Sequence, residues 1–246
     1  MKLLQKSTTT KIIAIGVFYA IAIIFRYLSI KTPLLEHIDN SFLKIVLQGI
    51  GPAIGALVAF KIFGLKTSYS LSGKLKPTLL SFIVFVVVPV IGFAVIGLVE
   101  NESIIVSSNV YMAGAKLSFY FMIYAILEEV GWRAFLNDQL SFVNPYLKIV
   151  IVGLLWFIWH LNFELSISNF SFMLILILAS WGIGKIGNVT QSILAVGAFH
   201  ALYNIFQLSC FDYKEKIFVL FLSASIWICY VVFYNKLNRS IIGSKK

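Results

Sequence analysis

From Lys11 to Ile30 the chain is almost unbrokenly apolar, and seven further runs of similar character follow: Phe42–Phe63, Thr78–Val99, Val110–Leu140, Tyr146–Phe163, Phe170–Ile186, Val189–Leu208 and Lys216–Asn235. A helix that spans a bilayer needs about 20 mostly apolar residues. Open sheets are excluded, because lipid leaves a strand edge unpaired. A β-barrel would show alternating segments of about ten residues instead. The expected fold is therefore all-α: a polytopic membrane protein, a bundle of about eight transmembrane helices in one domain over residues 1–246. The fourth run is over-long and predicts an interfacial turn ahead of its span. The sixth and seventh are expected to be joined by a short turn at Gly184-Lys185-Ile186-Gly187-Asn188.

Composition agrees. The chain is 60% hydrophobic and 12% charged, about half the charged fraction of a soluble domain. The net charge of +10 is concentrated at segment ends, which is a topological pattern in membrane proteins. Nucleic-acid binding would require a continuous basic face, and none is present. Cys210 and Cys229 form neither a disulfide framework nor a zinc spacing, and both read as buried small hydrophobes. The basic start, Met1-Lys2-Leu3-Leu4-Gln5-Lys6, leads into a run too long for a signal peptide, so a retained first helix is expected.

Lysine and arginine set the orientation. Lys2, Lys6 and Lys11 precede the first span, and Lys61, Lys66, Lys74 and Lys76 separate the second from the third. Arg133, Lys148 and Lys185 lie at the fourth and sixth connections, and Lys236, Arg239, Lys245 and Lys246 follow the last span. The third and fifth connections carry Glu100, Glu102 and Glu164, while the first, with Arg26 and Lys31 near it, is mixed, and so is the seventh. Both termini are then cytoplasmic. Gly51-Pro52-Ala53-Ile54-Gly55 has the small-residue spacing of close helix packing and is read as structural.

Ionisable side chains within a bilayer are costly and face a cavity or one another. Glu128, Glu129, His160 and His200 are of this kind, with Arg133 and Asn204 beside them. His37 sits in a polar loop with Glu36 and Asp39 and reads as surface. Glu129 and Arg133 are four apart, so they share a helix face as an ion pair. Glu128 is rotated about 100° away and is the carboxylate left for proton chemistry. The competing reading is that the three merely knit helices together. His160 follows Trp156 by one turn, which supports the ring, although His160–Glu164 is an equally spaced alternative. His200 and Asn204 share a face and can both donate to one developing oxyanion, or they form a helix–helix hydrogen bond. At 1.5 Å per residue, Glu128, His160 and His200 lie roughly 16–21 Å from the cytoplasmic ends of their spans. Three helices thus bring polar groups to one level.

These residues resemble the CPBP intramembrane proteases, also called the CAAX-protease, bacteriocin-processing or Abi family, whose pattern is EExxxR, FxxxH and HxxxN. Here it is met by Glu128-Glu129…Arg133, by His160 with Trp156 in the Phe position, and by His200…Asn204. The resemblance spans about Tyr120 to Phe206. It implies an eight-helix bundle with a polar cavity open to the cytosol and a catalytic core of about residues 110–208. It further implies that Glu128 and His160 activate a water while His200 and Asn204 steady the oxyanion, with Glu129, Arg133 and Trp156 in support. No cofactor is implied, although a zinc-dependent version on Glu128, His160 and His200 remains the alternative, without HExxH spacing to favour it.

The function expected is intramembrane endopeptidase, acting on a hydrophobic peptide or membrane-protein substrate. The resemblance implies prenylated C-terminal tails in eukaryotes and peptide maturation, immunity or membrane-protein processing in bacteria. The Lys-, Ile- and Asn-rich composition points to the membrane of an AT-rich bacterium and away from a prenyl substrate. A non-catalytic scaffold or immunity protein on the same fold and a proton-coupled carrier are the competing classes. A carrier would be expected to show broken helices and inverted halves. Nothing in the sequence sets the oligomeric state.

Overall fold

A computed structural model describes residues 7–89, 91–92, 95, 119–204, 214, 216–223, 225–226 and 229. Among them all regular structure is helical apart from one isolated bridge, Ser70 to Ser192. The first helix, α1, is Thr8–Lys31, and α2 is Ser41–Phe63. The third, α3, is Leu75–Val87, its last five residues wound as a π-helix. Residues 119–129 form α4 and run into a π-helical stretch, Val130–Asn137. Then come α5, Pro145–Trp159, α6, Ile167–Thr190, and α7, Ile193–Asn204. Residues 216–223 are helical as well.

By length and composition α1, α2 and α6 can cross a membrane, and α3, α5 and α7 are shorter apolar helices. Part of the third span, the start of the fourth with its expected interfacial turn, and the end of the eighth lie outside the described residues. Large apolar side chains such as Ile12, Ile24, Leu57, Ile62 and Leu178 are exposed on the outer faces of the long helices, as lipid contact requires. Cys229 is exposed rather than buried, contrary to its sequence reading, and Cys210 lies outside the described residues.

Small residues bring α1 and α2 together. Ala14, Phe18 and Ala22 recur every fourth position on α1 and are fully buried. Facing them are Gly51 and Gly55 of α2. A Cβ on Gly51 would stand 2.8 Å from the Cβ of Phe25 and 3.0 Å from the Ala22 carbonyl. Lipid supplies no hydrophobic drive between helices, so such close van der Waals packing is what holds them. The structural reading of that spacing therefore holds.

Capping chemistry, more than hydropathy, sets the helix ends. The side chains of Ser7, Asn40, Asn144 and Ser166 accept backbone N–H groups at the starts of α1, α2, α5 and α6. Gly64, in the left-handed conformation, closes α2. Two ends depart from expectation. First, α5 stops at Trp159, not Phe163, because Leu161 adopts a left-handed backbone (φ 54°) that its side chain does not advertise. Second, the glycines at 184 and 187 make no turn. Instead, α6 continues to Thr190 and the chain reverses at Gln191 (φ 51°). Gly187 is small for packing, since a Cβ there would overlap the hydroxyl of Tyr69.

Candidate active site

Three elements deliver the polar residues singled out in the sequence. On α4, Tyr124, Glu128 and Trp132 are spaced by four and share a face, with Glu129 one position round. Where α5 ends, the His160 amide bonds the Phe157 carbonyl at 3.0 Å, so the Trp156 carbonyl lacks its usual helical partner. The ring of His160 takes that place, its Nδ1 donating to the Trp156 carbonyl at 2.8 Å. A carbonyl only accepts, so the proton sits on Nδ1 and Nε2 is the nitrogen left over. Helix α7 contributes His200 and Asn204, four apart.

These groups converge on one partly open cavity of about 210 Å³. Glu128, His160, His200 and Asn204 all line it, together with Trp156, Tyr124 and Arg26. Its remaining wall is largely apolar, including Phe121, Phe172 and Phe199. Glu128, His200 and Asn204 are buried. Oε2 of Glu128 accepts two indole N–H groups, from Trp156 at 2.8 Å and Trp132 at 3.2 Å. Two neutral donors on one oxygen hold the carboxylate in place without a cation bonded to it.

Behind this wall lies a second charged group. Oε2 of Glu129 is 3.3 Å from Nε of Arg133, an ion pair whose angle is too poor for a hydrogen bond. Oε1 of Glu129 accepts from Nδ1 of His200 at 2.9 Å. The Arg133 guanidinium also lies over the Trp156 ring, 5.2 Å from its centroid. Glu129 and Arg133 do not line the cavity. They fix His200 from behind and leave its Nε2 unengaged by Glu129. Glu128 thus lines the cavity, whereas Glu129 is engaged behind it by Arg133 and His200.

The His160–Glu164 alternative does not form, because the helix that would have aligned the two ends before Glu164, which is exposed. His37 is exposed, as expected. Among the described residues no three His, Cys, Asp or Glu side chains are gathered as a metal ion would need. The set Glu128, His160 and His200 is therefore not arranged as ligands.

Three cavity residues were missed by the sequence reading. Arg26, a flanking charge by its place in the sequence, lines the cavity. It stacks over the Trp159 ring, 4.4 Å from the centroid, and its Nη1 reaches the Gln48 carbonyl at a long 3.5 Å. Tyr124 faces both Arg26 and Glu128. Trp132 carries the second indole. A signal for each was present: Arg26 lies inside an apolar run, and the other two lie one turn either side of Glu128.

Residues 112–206 match the family described as type II CAAX prenyl endopeptidase Rce1-like. Over that segment the chain is similar to the Rce1-like family. This is a family of glutamate-type intramembrane endopeptidases. No curated protein matches the chain. The Rce1-like segment takes in Glu128, Glu129, Arg133, Trp156, His160, His200 and Asn204, so the family match and the cavity fall on the same residues. Three of the described helices are long and apolar enough to cross a membrane, which together with this similarity suggests an integral membrane protein.

Proposed function

We propose that this protein hydrolyses a peptide bond of an apolar peptide or membrane-protein segment inside the bilayer. In this mechanism Glu128 is the base. It takes a proton from a water whose oxygen attacks the substrate carbonyl carbon, and the proton passes on to the departing amine. His160 receives a hydrogen bond from that water at Nε2, the nitrogen its Trp156 contact leaves unused. The developing oxyanion is met by Nδ2 of Asn204 and by Nε2 of His200, a donor when the ring carries both protons with Glu129 behind it. Nδ2 of Asn204 is buried and has no hydrogen-bond partner. A donor left so is unfavourable by about 1–3 kcal/mol, and a substrate oxygen would relieve that penalty at the reaction centre.

The observation that carries the reading is the convergence of Glu128, His160, His200 and Asn204, from three separate helices, on one cavity. Packing polars with no common task have no reason to meet. The same reading includes a bundle of about eight spans with a catalytic core near residues 110–208, cytoplasmic termini and a bacterial cell membrane. No cofactor is assigned to the site.

The test is cleavage of a peptide library in detergent by the wild type and by Glu128→Ala. Cleavage by the wild type alone is expected. Equal cleavage by both would remove the assignment. A strong chelator in a parallel reaction should leave the rate unchanged, and loss of activity restored by zinc would favour the metal-dependent version.

A further inference from the structure

The two ends of the bundle are unlike. At one, separate connections are stitched to each other. Lys11 donates to Ser141 at 3.0 Å. The amide and hydroxyl of Ser68 donate to Asp138 at 2.8 and 3.0 Å. The Ser70 amide donates to the Gln191 carbonyl, and the Ile193 amide to the Ser70 carbonyl, both at 3.0 Å. The start of α1 and the connections at 64–74, 138–144 and 191–192 thus form one base. The opposite end carries the connections at 32–40 and 161–166.

The cavity lies toward that opposite end. Arg26 is five residues, about 8 Å, from the end of α1. Ile45 and Gln48 are in the first two turns of α2, and His160 caps the far end of α5. From α7 the cavity takes residues 199–204, the half remote from the stitched base. From α4 it takes Phe121, Tyr124 and Glu128, again the half remote from Asp138.

Cations divide the same way. Lys11, Lys61, Lys66, Lys74, Lys76, Lys148 and Lys185 lie at or near the stitched base. The other end has Arg26, Lys31 and Lys44 among the described residues, with Lys214 and Lys216 at the start of the last helix and Glu36, Asp39 and Glu164 beside them, so the larger share of the cations is at the base. Lysine and arginine near span ends mark the cytoplasmic side, so the base is cytoplasmic. We infer that the cavity belongs to the non-cytoplasmic half of the membrane and receives its substrate from that side. The substrate class is then a peptide or membrane-protein segment that has already crossed the bilayer. This runs against the cytosolic opening that the resemblance implies. The substrate class rests on the endopeptidase reading, whereas the sidedness does not.

Thiol accessibility tests it. In a chain carrying Cys210→Ser and Cys229→Ser, single cysteines are placed at the base (Ser72→Cys), in the 161–166 connection (Leu165→Cys) and in the cavity (Gln48→Cys, with Ile45→Cys as a second choice). Each is treated with a small membrane-impermeant thiol reagent in spheroplasts and in inverted vesicles. Leu165→Cys and a cavity cysteine should react about tenfold faster in spheroplasts, and Ser72→Cys faster in inverted vesicles. Faster reaction of Leu165→Cys in inverted vesicles, or no reaction of either cavity cysteine in spheroplasts, overturns the inference. Cleavage that depends on Glu128 alongside cytoplasmic labelling of the cavity would keep the protease and discard its sidedness.

Discussion

Replacing Trp156 by Phe is the most informative single change, because it removes the indole donor while keeping an aromatic ring at the position. The aromatic body stays, and so does the backbone carbonyl that orients His160. What goes is the 2.8 Å indole donor to Oε2 of Glu128. A hydrogen bond to a charged acceptor contributes about 1.5–3 kcal/mol. The Trp132 indole still holds the same oxygen at 3.2 Å, so the loss belongs at the lower limit, about 1.5 kcal/mol. If the clamp serves the reaction, that is about a tenfold fall in kcat, at 1.36 kcal/mol per decade. Trp132→Phe should do somewhat less. The double variant should lose more than the product of the two, since Oε2 then has no indole donor. The assay is initial-rate cleavage in detergent, with thermal unfolding followed in parallel to show that each variant is folded. Rates within twofold of wild type for all three variants would refute the view that the clamp positions Glu128. Phe is also the family's residue at this position, so that outcome would mean that a Phe-type site is equally well organised.

Other outcomes follow from the same geometry. Glu129→Gln leaves the Arg133 guanidinium, whose side chain is 1% exposed, without its anion. Breaking a buried pair in this way costs about 3–5 kcal/mol, which should appear as a clear drop in the thermal unfolding midpoint in detergent. Asn204→Ala should lower kcat by about 10²–10³-fold with little change in KM, the loss typical of one oxyanion donor. Steady-state kinetics check this, and a fall confined to KM would count against the role. Gly187→Ala forces its methyl into the Tyr69 hydroxyl. It should destabilise by about 1–3 kcal/mol, with recovery on adding Tyr69→Phe, both read by thermal unfolding.

Much of this was legible in the sequence, and the reasons are physical. Apolar length reports spans directly, because lipid admits little else, so α1 and α2 lie close to their expected limits. Spacing of four reports shared faces, so the Glu129–Arg133 pair and the grouping of His200 with Asn204 were readable. Three kinds of feature were not. The stop at Leu161 comes from a left-handed residue with no glycine or proline to announce it. The glycines near 187 looked like a turn because composition does not separate a flexible glycine from one that makes room for a neighbour. Finally, Arg26 looked like a span-end charge because distance along the chain says nothing about which side chains face it across the bundle. The indole clamp was half visible: Trp156 was expected to support His160, but its reach to a carboxylate 28 residues earlier is a tertiary fact.

The stitched base has a mechanical consequence. Its cross-links tie segments as distant in sequence as Lys11 and Ser141, or Ser70 and Ser192, into a single floor. Toward the opposite rim the described cross-links are fewer: Arg26 reaches the Gln48 carbonyl and the Trp159 ring, and the Trp159 indole donates to the Ala22 carbonyl. Deformation of the bundle therefore behaves like the splaying of tongs about a fixed pivot. Displacement grows with distance from the floor and is greatest where Arg26, Gln48 and His160 sit, so the jaws can widen for a bulky guest while the Lys-rich floor keeps its shape.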